Sequence, residues 1–178
     1  MSKTILTGID CQWRPTEQNC FAVSAQDGNL YVYQQNDRTD PVRTYNWGAD
    51  TVTSVKFNPS EHDLISATGI DRSIMLYDLR VAKPIRKITL SMNSNCISWN
   101  PYNPIQFAVA NEDYHTYIFD TRNLDHAKKI LKGHISAVMS CSFSPTGRQL
   151  VTGSYFIFIE KSTKFFIKIS IFLKINFV

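Results

Sequence analysis

The sequence predicts an all-β fold, a partial β-propeller of about three and a half four-stranded antiparallel blades. A five-residue phrase that ends in proline recurs four times, an aspartate follows the first three prolines at one fixed distance, and an aromatic residue follows each aspartate at another. A unit of about 40–45 residues with several short strands is typical of a propeller blade. The composition, with 43% hydrophobic and 19% charged residues, excludes wholesale disorder, a collagen-like rod and a coiled coil.

The repeated phrase predicts the first strand of each blade. Every copy alternates apolar, polar, aromatic and polar residues before its proline, and successive prolines are 44, 42 and 44 residues apart. An alternation of period two buries one face of a strand, and proline ends the strand because it has no N–H to donate. The four copies are Cys11–Pro15, Val55–Pro59, Ile97–Pro101 and Cys141–Pro145.

The aromatic residues of the phrase are expected to fill equivalent places between neighbouring blades. At ~25 cal/mol per Å², burying ~150–250 Å² stabilises the fold by roughly 4–6 kcal/mol for each ring before entropy is counted. Cys11 and Cys141 take the places of Val55 and Ile97, so we expect them to be small core side chains and not reactive thiols. The aromatic set is Trp13, Phe57, Trp99 and Phe143.

A tight turn is predicted between the second and third strands of the first three blades. An aspartate lies twelve residues after each proline, between two apolar stretches, and an aromatic residue follows six residues later. A carboxylate in such a turn accepts backbone N–H groups that the turn leaves unpaired. Aspartate is common in turns, but three at one offset make coincidence a poor explanation. The pairs are Asp27 with Tyr33, Asp71 with Tyr77, and Asp113 with Phe119.

Three dipeptides identify the kind of repeat. Tyr77–Asp78 and Phe119–Asp120 stand where a propeller blade of one large family has Trp-Asp, and Gly133–His134 stands where that family opens a blade with Gly-His. With these dipeptides the sequence resembles the WD-repeat β-propellers. The copies are degenerate, since Gly48–Asp50 and Met92–Ser94 replace Gly-His before the second and third repeats.

The resemblance also implies a set of structural residues. In WD-repeat propellers the histidine, the turn aspartate and the aromatic residue belong to one hydrogen-bonded network inside each blade. Carried onto this sequence, the network residues are Asp27, Asp71, Asp113, His134, Tyr77 and Phe119.

The repeats divide the chain into a propeller part and a tail. Residues 1–154 are predicted to form the partial propeller, with repeats near 9–34, 52–80, 95–122 and 134–154. Because closed propellers need at least about four blades, we expect this part to be a piece of a longer propeller. Such a piece is expected to leave two unpaired sheet edges.

The last 24 residues depart from the repeat. Tyr155–Phe158 stands where the fourth turn aspartate is expected, and six of the chain's 11 phenylalanines lie in 155–178. These residue types are favoured by A/T-rich codons, so we interpret 155–178 as a tail outside the family that arises from a missed splice site or a truncated gene model. One alternative is an edge hairpin that contains Phe166–Ile171. Another is a membrane-surface segment, which the scattered charges disfavour because they define no helical face.

Charge and reactive residues exclude several function classes. The net charge is +4, but the tail supplies +3 of it, so the body has no charge excess for binding nucleic acid. The four cysteines form no C-x-x-C pair, which favours a reduced compartment over a disulfide scaffold or a zinc site. No apolar run approaches the ~18 residues of a membrane span, and Met1–Gly8 lacks the apolar stretch of a signal peptide.

Motifs of catalysis are also missing from the sequence. It contains no phosphate-binding G-x-G-x-x-G, no G-x-S-x-G, no pair of carboxylates that indicates acid–base chemistry, and no metal-ligand spacing among its four histidines. We therefore predict no catalytic residue, no metal, no cofactor, no small-molecule substrate and no membrane contact.

A more specific resemblance rests on seven segments and on their order along the chain. The segments are Thr7–Asp10, Trp47–Asp50, Ser54–Pro59, Ile74–Arg80, Ile97–Pro101, Ala110–Tyr114 and Ser136–Val138. In this order they resemble the nucleolar WD-repeat family of the small-subunit processome, over about residues 4–154. The resemblance implies a non-enzymatic scaffold in the nucleolus that is needed for processing the precursor of small-subunit ribosomal RNA. Its implied partners are other processome proteins and the pre-ribosomal particle, while the near-neutral body weakens any direct RNA contact.

A second function comes from two aromatic-Asp-x-Arg motifs, Tyr77–Arg80 and Phe119–Arg122. They resemble the box by which some WD-repeat proteins dock as substrate receptors on the adaptor of a cullin–RING ubiquitin ligase. The candidate partner-binding residues are Asp78, Arg80, Asp120 and Arg122, whose guanidinium groups are suited to bidentate contacts with acidic partners. The alternative is that each arginine pairs within its own blade. The scaffold and receptor roles can coexist in one protein.

Overall fold

The strands of this protein pair antiparallel into four sheets that follow one another along the chain. The structure is a computed structural model that describes residues 7–15, 19–35, 40–81, 84–158, 166–170 and 175–176. Strands and turns are the only regular structure in these ranges, which confirms the predicted all-β fold. Three residues of the first repeat, 16–18, lie outside the described residues.

Each sheet contains four strands. Sheet 1 is β1 (Gly8–Trp13), β2 (Cys20–Ala25), β3 (Asn29–Gln34) and β4 (Arg43–Asn46). Sheet 2 is β5 (Val52–Phe57), β6 (Leu64–Gly69), β7 (Ser73–Asp78) and β8 (Pro84–Thr89). Sheet 3 is β9 (Ser94–Trp99), β10 (Gln106–Asn111), β11 (Thr116–Asp120) and β12 (Lys129–Leu131). Sheet 4 is β13 (Val138–Phe143), β14 (Gln149–Phe158), β15 (Phe166–Ser170) and β16 (Ile175–Asn176).

The four sheets stack face to face, and three apolar cores lie between them. The repeated phrase forms the first strand of every sheet, and these four strands contact one another in the order β1, β5, β9 and β13. Phe57 packs in the first core, Trp99 in the second and Phe143 in the third. Each of these three rings faces the preceding sheet, as the sequence predicts for a partial propeller.

The first copy of the phrase differs in burial. Trp13 is 55% exposed and Cys11 is exposed, whereas Phe57 is 2% and Cys141 5% exposed. The predictions that Trp13 and Cys11 lie in the core are therefore wrong. The physical reason is that, among the described residues, no sheet precedes sheet 1 to cover this face. Trp13 packs instead against Phe21 of its own sheet, with ring centroids 5.1 Å apart.

A latch joins each of the first three sheets to the next at the residue before the repeated proline. Arg14 Nε donates to the carbonyl of His62 at 3.1 Å, Asn58 Nδ2 to that of Pro104 at 2.7 Å, and Asn100 Nδ2 to that of Gly147 at 3.2 Å. All three acceptors lie in the first turn of the following sheet. The sheets are thus held together by repeated polar contacts as well as by apolar packing.

A bulge near the start of each first strand provides a second link between sheets. The pairing of the first strand with the second shifts register at this point in all four sheets. In sheets 2 and 3 the bulged residue reaches the next sheet, since Thr53 Oγ1 donates to the carbonyl of Ser94 at 2.9 Å and Asn95 Nδ2 to that of Val138 at 3.0 Å. The extra residue of a bulge redirects its side chain, which makes this contact possible.

The tail contributes strands to sheet 4, which has four strands among the described residues, as do the other three sheets. β14 runs past Ser154 to Phe158 and pairs antiparallel with β15, and β16 pairs with the start of β14. This pairing agrees with the edge-hairpin alternative for Phe166–Ile171, of which the structure describes Phe166–Ser170. Residues 159–165, 171–174 and 177–178 lie outside the described residues. The boundary at residue 154 and the origin of the tail stay predictions.

Candidate functional site

The two Asp-x-Arg motifs have the same geometry at the ends of β7 and β11. Asp78 Oδ1 accepts hydrogen bonds from the backbone N–H of Arg80 at 2.8 Å and from its Nε at 3.0 Å, while Nη2 donates to Oδ2 at 2.6 Å. Asp120 and Arg122 repeat this arrangement at 3.0, 3.1 and 3.0 Å. Both arginines therefore pair within their own blade, through a bidentate contact of the strong charge-assisted kind.

This pairing leaves the two arginines at the surface. The side chains of Asp78 and Asp120 are only 12% and 13% exposed, whereas those of Arg80 and Arg122 are 67% and 72% exposed. Hydrogen bonds from the arginines hold the pKa of both carboxyl groups below the usual value. Each motif therefore presents a guanidinium group at a fixed position, oriented by a carboxylate that stays ionised at neutral pH.

Arg80 is also connected to sheet 1. Its Nε lies 3.8 Å from Asp63 Oδ2, and Asp63 Oδ1 accepts a 2.6 Å hydrogen bond from Arg14 Nη2. Arg14 is the latch residue of sheet 1, so the first Asp-x-Arg motif belongs to a chain of charges that crosses between two sheets.

At the opposite ends of the third strands, the three turn aspartates accept backbone N–H groups as predicted. In each case Oδ1 accepts from the residue two positions later, at 3.1 to 3.3 Å. The aspartate–donor pairs are Asp27 with Asn29, Asp71 with Ser73, and Asp113 with His115.

The side chains that complete these turns differ from the predicted network. Tyr31 Oη donates to Asp27 at 2.6 Å, and Tyr117 Oη donates to Asp113 in the same way. Asp71 pairs instead with Lys87 Nζ at 2.8 Å. The tyrosines lie four residues after the aspartate, a spacing that recurs in the sequence and that could have identified them.

Tyr77 and Phe119 do not join the turn aspartates. Tyr77 is fully buried and its hydroxyl donates to Met75 Sδ at 3.1 Å, while Phe119 has no group to donate. Asp71 is already satisfied by nearer donors, Ser73 and Lys87. Both aromatic residues serve as core side chains, Tyr77 between sheets 1 and 2 and Phe119 between sheets 2 and 3.

His134 contacts a threonine, whereas the resemblance implies a network with a turn aspartate and an aromatic residue. Its Nε2 lies 2.7 Å from Thr152 Oγ1 on β14. Burial lowers the pKa of His134, so the ring is neutral at pH 7. This contact joins the loop before β13 to the second strand of sheet 4.

Strained backbone marks two of the turns. Gly28, Arg72 and Tyr114 each follow a turn aspartate, and each has a positive φ, of 78°, 67° and 70°. Glycine adopts this conformation without cost, whereas a residue with a side chain is strained by about 1 kcal/mol. Strain of this kind concentrates at functional sites.

The two strained residues lie on one continuous surface. The carbonyl of Arg72 accepts the N–H of Leu90 at 2.8 Å, and the carbonyl of Asn93 accepts the N–H of Glu112 at 3.0 Å, so the turns of sheets 2 and 3 meet through the loop between β8 and β9. We call this the turn surface. It consists of Ile70, Arg72, Met92 and Tyr114, of which Ile70, Met92 and Tyr114 are 43%, 45% and 50% exposed.

The described residues offer no candidate for a metal centre, since they contain no group of three or more histidine, cysteine, aspartate or glutamate side chains that could hold an ion. Among these residues, no helix has the length and apolar character needed to span a bilayer. A depression of about 520 Å³ lies beside β8 and β11, and Asp125 and His126 are among the side chains at its edge. Asp125 already pairs with Arg86 at 2.9 Å.

Comparison with known proteins finds the WD domain, G-beta repeat, over residues 39–78 and 126–155. The chain is 45% identical over 148 residues to Protein SOF1 of Saccharomyces cerevisiae, an alignment that covers 83% of this chain and 29% of that protein. It is 44% identical over 129 residues to Protein sof1 of Schizosaccharomyces pombe, an alignment that covers 72% of this chain and 29% of that protein. It is 39% identical over 166 residues to DDB1- and CUL4-associated factor 13 of Xenopus laevis, covering 93% and 35%. The chain spans about a third of the length of these curated relatives.

Proposed function

Since the chain belongs to the WD40-repeat family, we propose that it forms part of a non-enzymatic scaffold of the small-subunit processome. This scaffold is needed for processing the precursor of small-subunit ribosomal RNA and acts in the nucleolus. Support comes from the resemblance of its seven ordered segments to the processome family and from the similarity to the SOF1 proteins of two yeasts. Its partners are other processome proteins and the pre-ribosomal ribonucleoprotein particle.

The observation that carries the proposal is the strained turn surface. Arg72 and Tyr114 occupy the backbone position that Gly28 fills in sheet 1, and each retains a large side chain there at a cost in stability. Tyrosine and arginine, together with apolar neighbours such as Met92, are the residue types that dominate the energy of protein–protein interfaces. We propose a protein as the partner on this surface, because the near-neutral charge of residues 1–154 weakens direct contact with RNA.

Depletion of the protein from its own cells tests the scaffold role. We expect unprocessed precursor RNA to rise and the protein, when present, to sediment with pre-ribosomal particles. Normal precursor levels after depletion would refute the processome function.

The variant Tyr114→Gly then tests the turn surface in the same depleted cells. We expect it to fail to restore processing while its unfolding midpoint stays unchanged or rises, because glycine relieves the positive φ while the side chain is lost. Tyr102→Ala is the matched control, since Tyr102 is 79% exposed at the other end of β10. Full rescue by Tyr114→Gly would reject the turn surface but leave the processome role standing.

We propose a second function, that of a substrate receptor of a cullin–RING ubiquitin ligase. Support comes from the two Asp-x-Arg motifs, in which a nearly buried carboxylate orients an exposed guanidinium group. The relative from Xenopus laevis carries the name DDB1- and CUL4-associated factor 13. In this proposal Arg80 and Arg122 contact acidic groups of the adaptor, with Asp78 and Asp120 as positioning residues.

The double variant Arg80→Ala, Arg122→Ala is expected to weaken capture of DDB1 by more than about tenfold, because each lost arginine removes a charge-assisted contact. The unfolding midpoint should fall only modestly, because Asp78 and Asp120 lose the guanidinium groups but keep the backbone N–H groups of positions 80 and 122. Arg86→Ala is the matched control, because Arg86 also pairs with an aspartate on the surface but lies outside the motifs. Binding assays with purified DDB1 measure both variants, and equal affinity for the double variant and the control would contradict the receptor function.

A further inference from the structure

Two cysteines from different sheets face each other where the first strands of sheets 3 and 4 meet. Cys96 Sγ lies 3.7 Å from the carbonyl oxygen of Cys141, and Cys141 Sγ lies 3.7 Å from the carbonyl oxygen of Cys96. Cys141 Sγ also lies 3.7 Å from the carbonyl oxygen of Ala108. Both are free thiols. These reciprocal contacts pack the two cysteines against each other although the residues are 45 positions apart.

The place of Cys96 in the repeat is one that accommodates a negative charge. Cys96 precedes its repeat proline by five residues, as Asp10 does in sheet 1. Asp10 Oδ2 accepts the N–H of Val55 on the next sheet at 3.1 Å, and Cys96 Sγ contacts the backbone of Cys141, which stands in the place of Val55. Cys96 thus occupies the position that a carboxylate takes in sheet 1.

The two thiols differ in how readily they ionise and in how exposed they are. The hydrogen bond from the Cys141 thiol lowers the pKa of Cys96 to about 6 against the opposing effect of burial. The contact with Cys96 and burial raise the pKa of Cys141 well above its usual value. Cys96 is partly exposed, whereas Cys141 is buried at 5% exposure. Cys96 is therefore the thiol that ionises more readily and is more exposed, and Cys141 lies beside it, an arrangement suited to reversible oxidation.

We propose that Cys96 and Cys141 are a peroxide-oxidised thiol pair that closes as a disulfide between sheets 3 and 4. The Cys96 thiolate attacks one oxygen of hydrogen peroxide, the O–O bond breaks, hydroxide leaves, and a sulfenic acid forms. The sulfur of Cys141 then attacks the sulfenic sulfur, the S–S bond forms, and its proton leaves with the departing hydroxide as water. In sum, two thiols and one peroxide give one disulfide and two waters, and two electrons pass to the peroxide.

This site is independent of the turn surface and of the Asp-x-Arg motifs. The contacts that carry it lie between the first strands β9 and β13, where the third and fourth sheets meet. A disulfide there would add a covalent link to the boundary that Asn95 already bridges through its hydrogen bond to the carbonyl of Val138. The expected consequence is that oxidation strengthens the attachment of sheet 4 to sheet 3 and that thiol reductants reverse it.

The test treats the complete chain with one equivalent of hydrogen peroxide and maps the products by non-reducing peptide mass spectrometry. We expect a Cys96–Cys141 cross-linked peptide and the loss of two of the four free thiols. Cys141→Ser should instead leave a sulfenic acid on Cys96 that dimedone traps, while Cys11→Ser, which removes an exposed thiol, should not change the cross-link.

A second measurement needs no variant. The rate at which iodoacetamide alkylates Cys96 in the unsubstituted chain should reach half its maximum near pH 6, as expected for a thiolate with the pKa of about 6. Peroxide that oxidises Cys11 while leaving Cys96 and Cys141 reduced would overturn the proposal. So would alkylation of Cys96 that rises only above the pKa of an ordinary thiol, about 8.5.

Discussion

Replacing Gly28 with alanine is expected to disrupt the junction between sheets 1 and 2, whereas the same replacement at Gly48 is expected to be mild. Both glycines have a positive φ, of 78° and 70°. A Cβ on Gly28 would lie 1.7 Å from the carbonyl oxygen of Ala49, but a Cβ on Gly48 would meet no atom within 4 Å. The pair therefore separates a steric clash from the backbone strain that the two positions share.

Urea unfolding of the two variants measures this difference. Gly48→Ala should lose about 1 kcal/mol of unfolding free energy, the usual cost of a side chain at positive φ. Gly28→Ala should lose more than about 3 kcal/mol, or fail to fold, because backbone atoms and not a flexible side chain must move to relieve the clash. Similar midpoints for the two variants would show that the loop at Ala49 yields freely, contrary to the close approach in the structure.

Removing the side chain of Asn100 is expected to have the second largest effect. Its Nδ2 donates to the carbonyl of Gly147 in sheet 4, and its Oδ1 accepts the N–H groups of Tyr102 and Asn103. Asn100 is 6% exposed, so Asn100→Ala leaves polar backbone groups without partners in a place that water reaches poorly. We expect a loss of about 2–4 kcal/mol of unfolding free energy, since each unsatisfied buried group costs about 1–3 kcal/mol.

Ser144→Ala is the matched control for this experiment. Ser144 holds the same place before a repeat proline, but among the described residues its hydroxyl bonds to Thr146 and Gln149, which close its own turn. Chemical denaturation should therefore show a loss of about 1 kcal/mol or less for Ser144→Ala. If both variants lose the same free energy, the hydrogen bonds of Asn100 within its own turn, and not the bond to sheet 4, account for its role.

The role of the turn aspartates could be predicted from the sequence because it depends on hydrogen bonds between residues that are close in the chain. Asp27, Asp71 and Asp113 accept N–H groups only two residues away, so the spacing in the sequence is enough to place them. The strain beside them could not be predicted in the same way. Glycine at position 28 indicates a positive φ. Arg72 and Tyr114 also have a positive φ, although it is unfavourable for residues with a side chain, because the surrounding sheets constrain their backbone.

The Asp-x-Arg motifs show the same division. The spacing of Asp78 and Arg80 in the sequence brings both residues into one turn. The spacing alone does not decide whether the arginine contacts a partner or its own aspartate. The structure adds that the arginine pairs with its aspartate and is exposed at the same time, because one carboxylate orients the guanidinium group without covering it. Binding of an adaptor by this group stays a proposal.

Periodicity along the chain was sufficient for the strands, the turns and the stacking of antiparallel sheets, because alternation and proline act over a few residues. Which copies of a repeated side chain are buried was decided only in three dimensions: Trp13 is exposed and Trp99 buried because a preceding sheet covers only the second. The latch at Asn100 and the meeting of Cys96 with Cys141 also depend on residues more than 40 positions apart. The burial of a residue and its contacts depend on which part of the chain packs against it, and the local sequence does not specify that part.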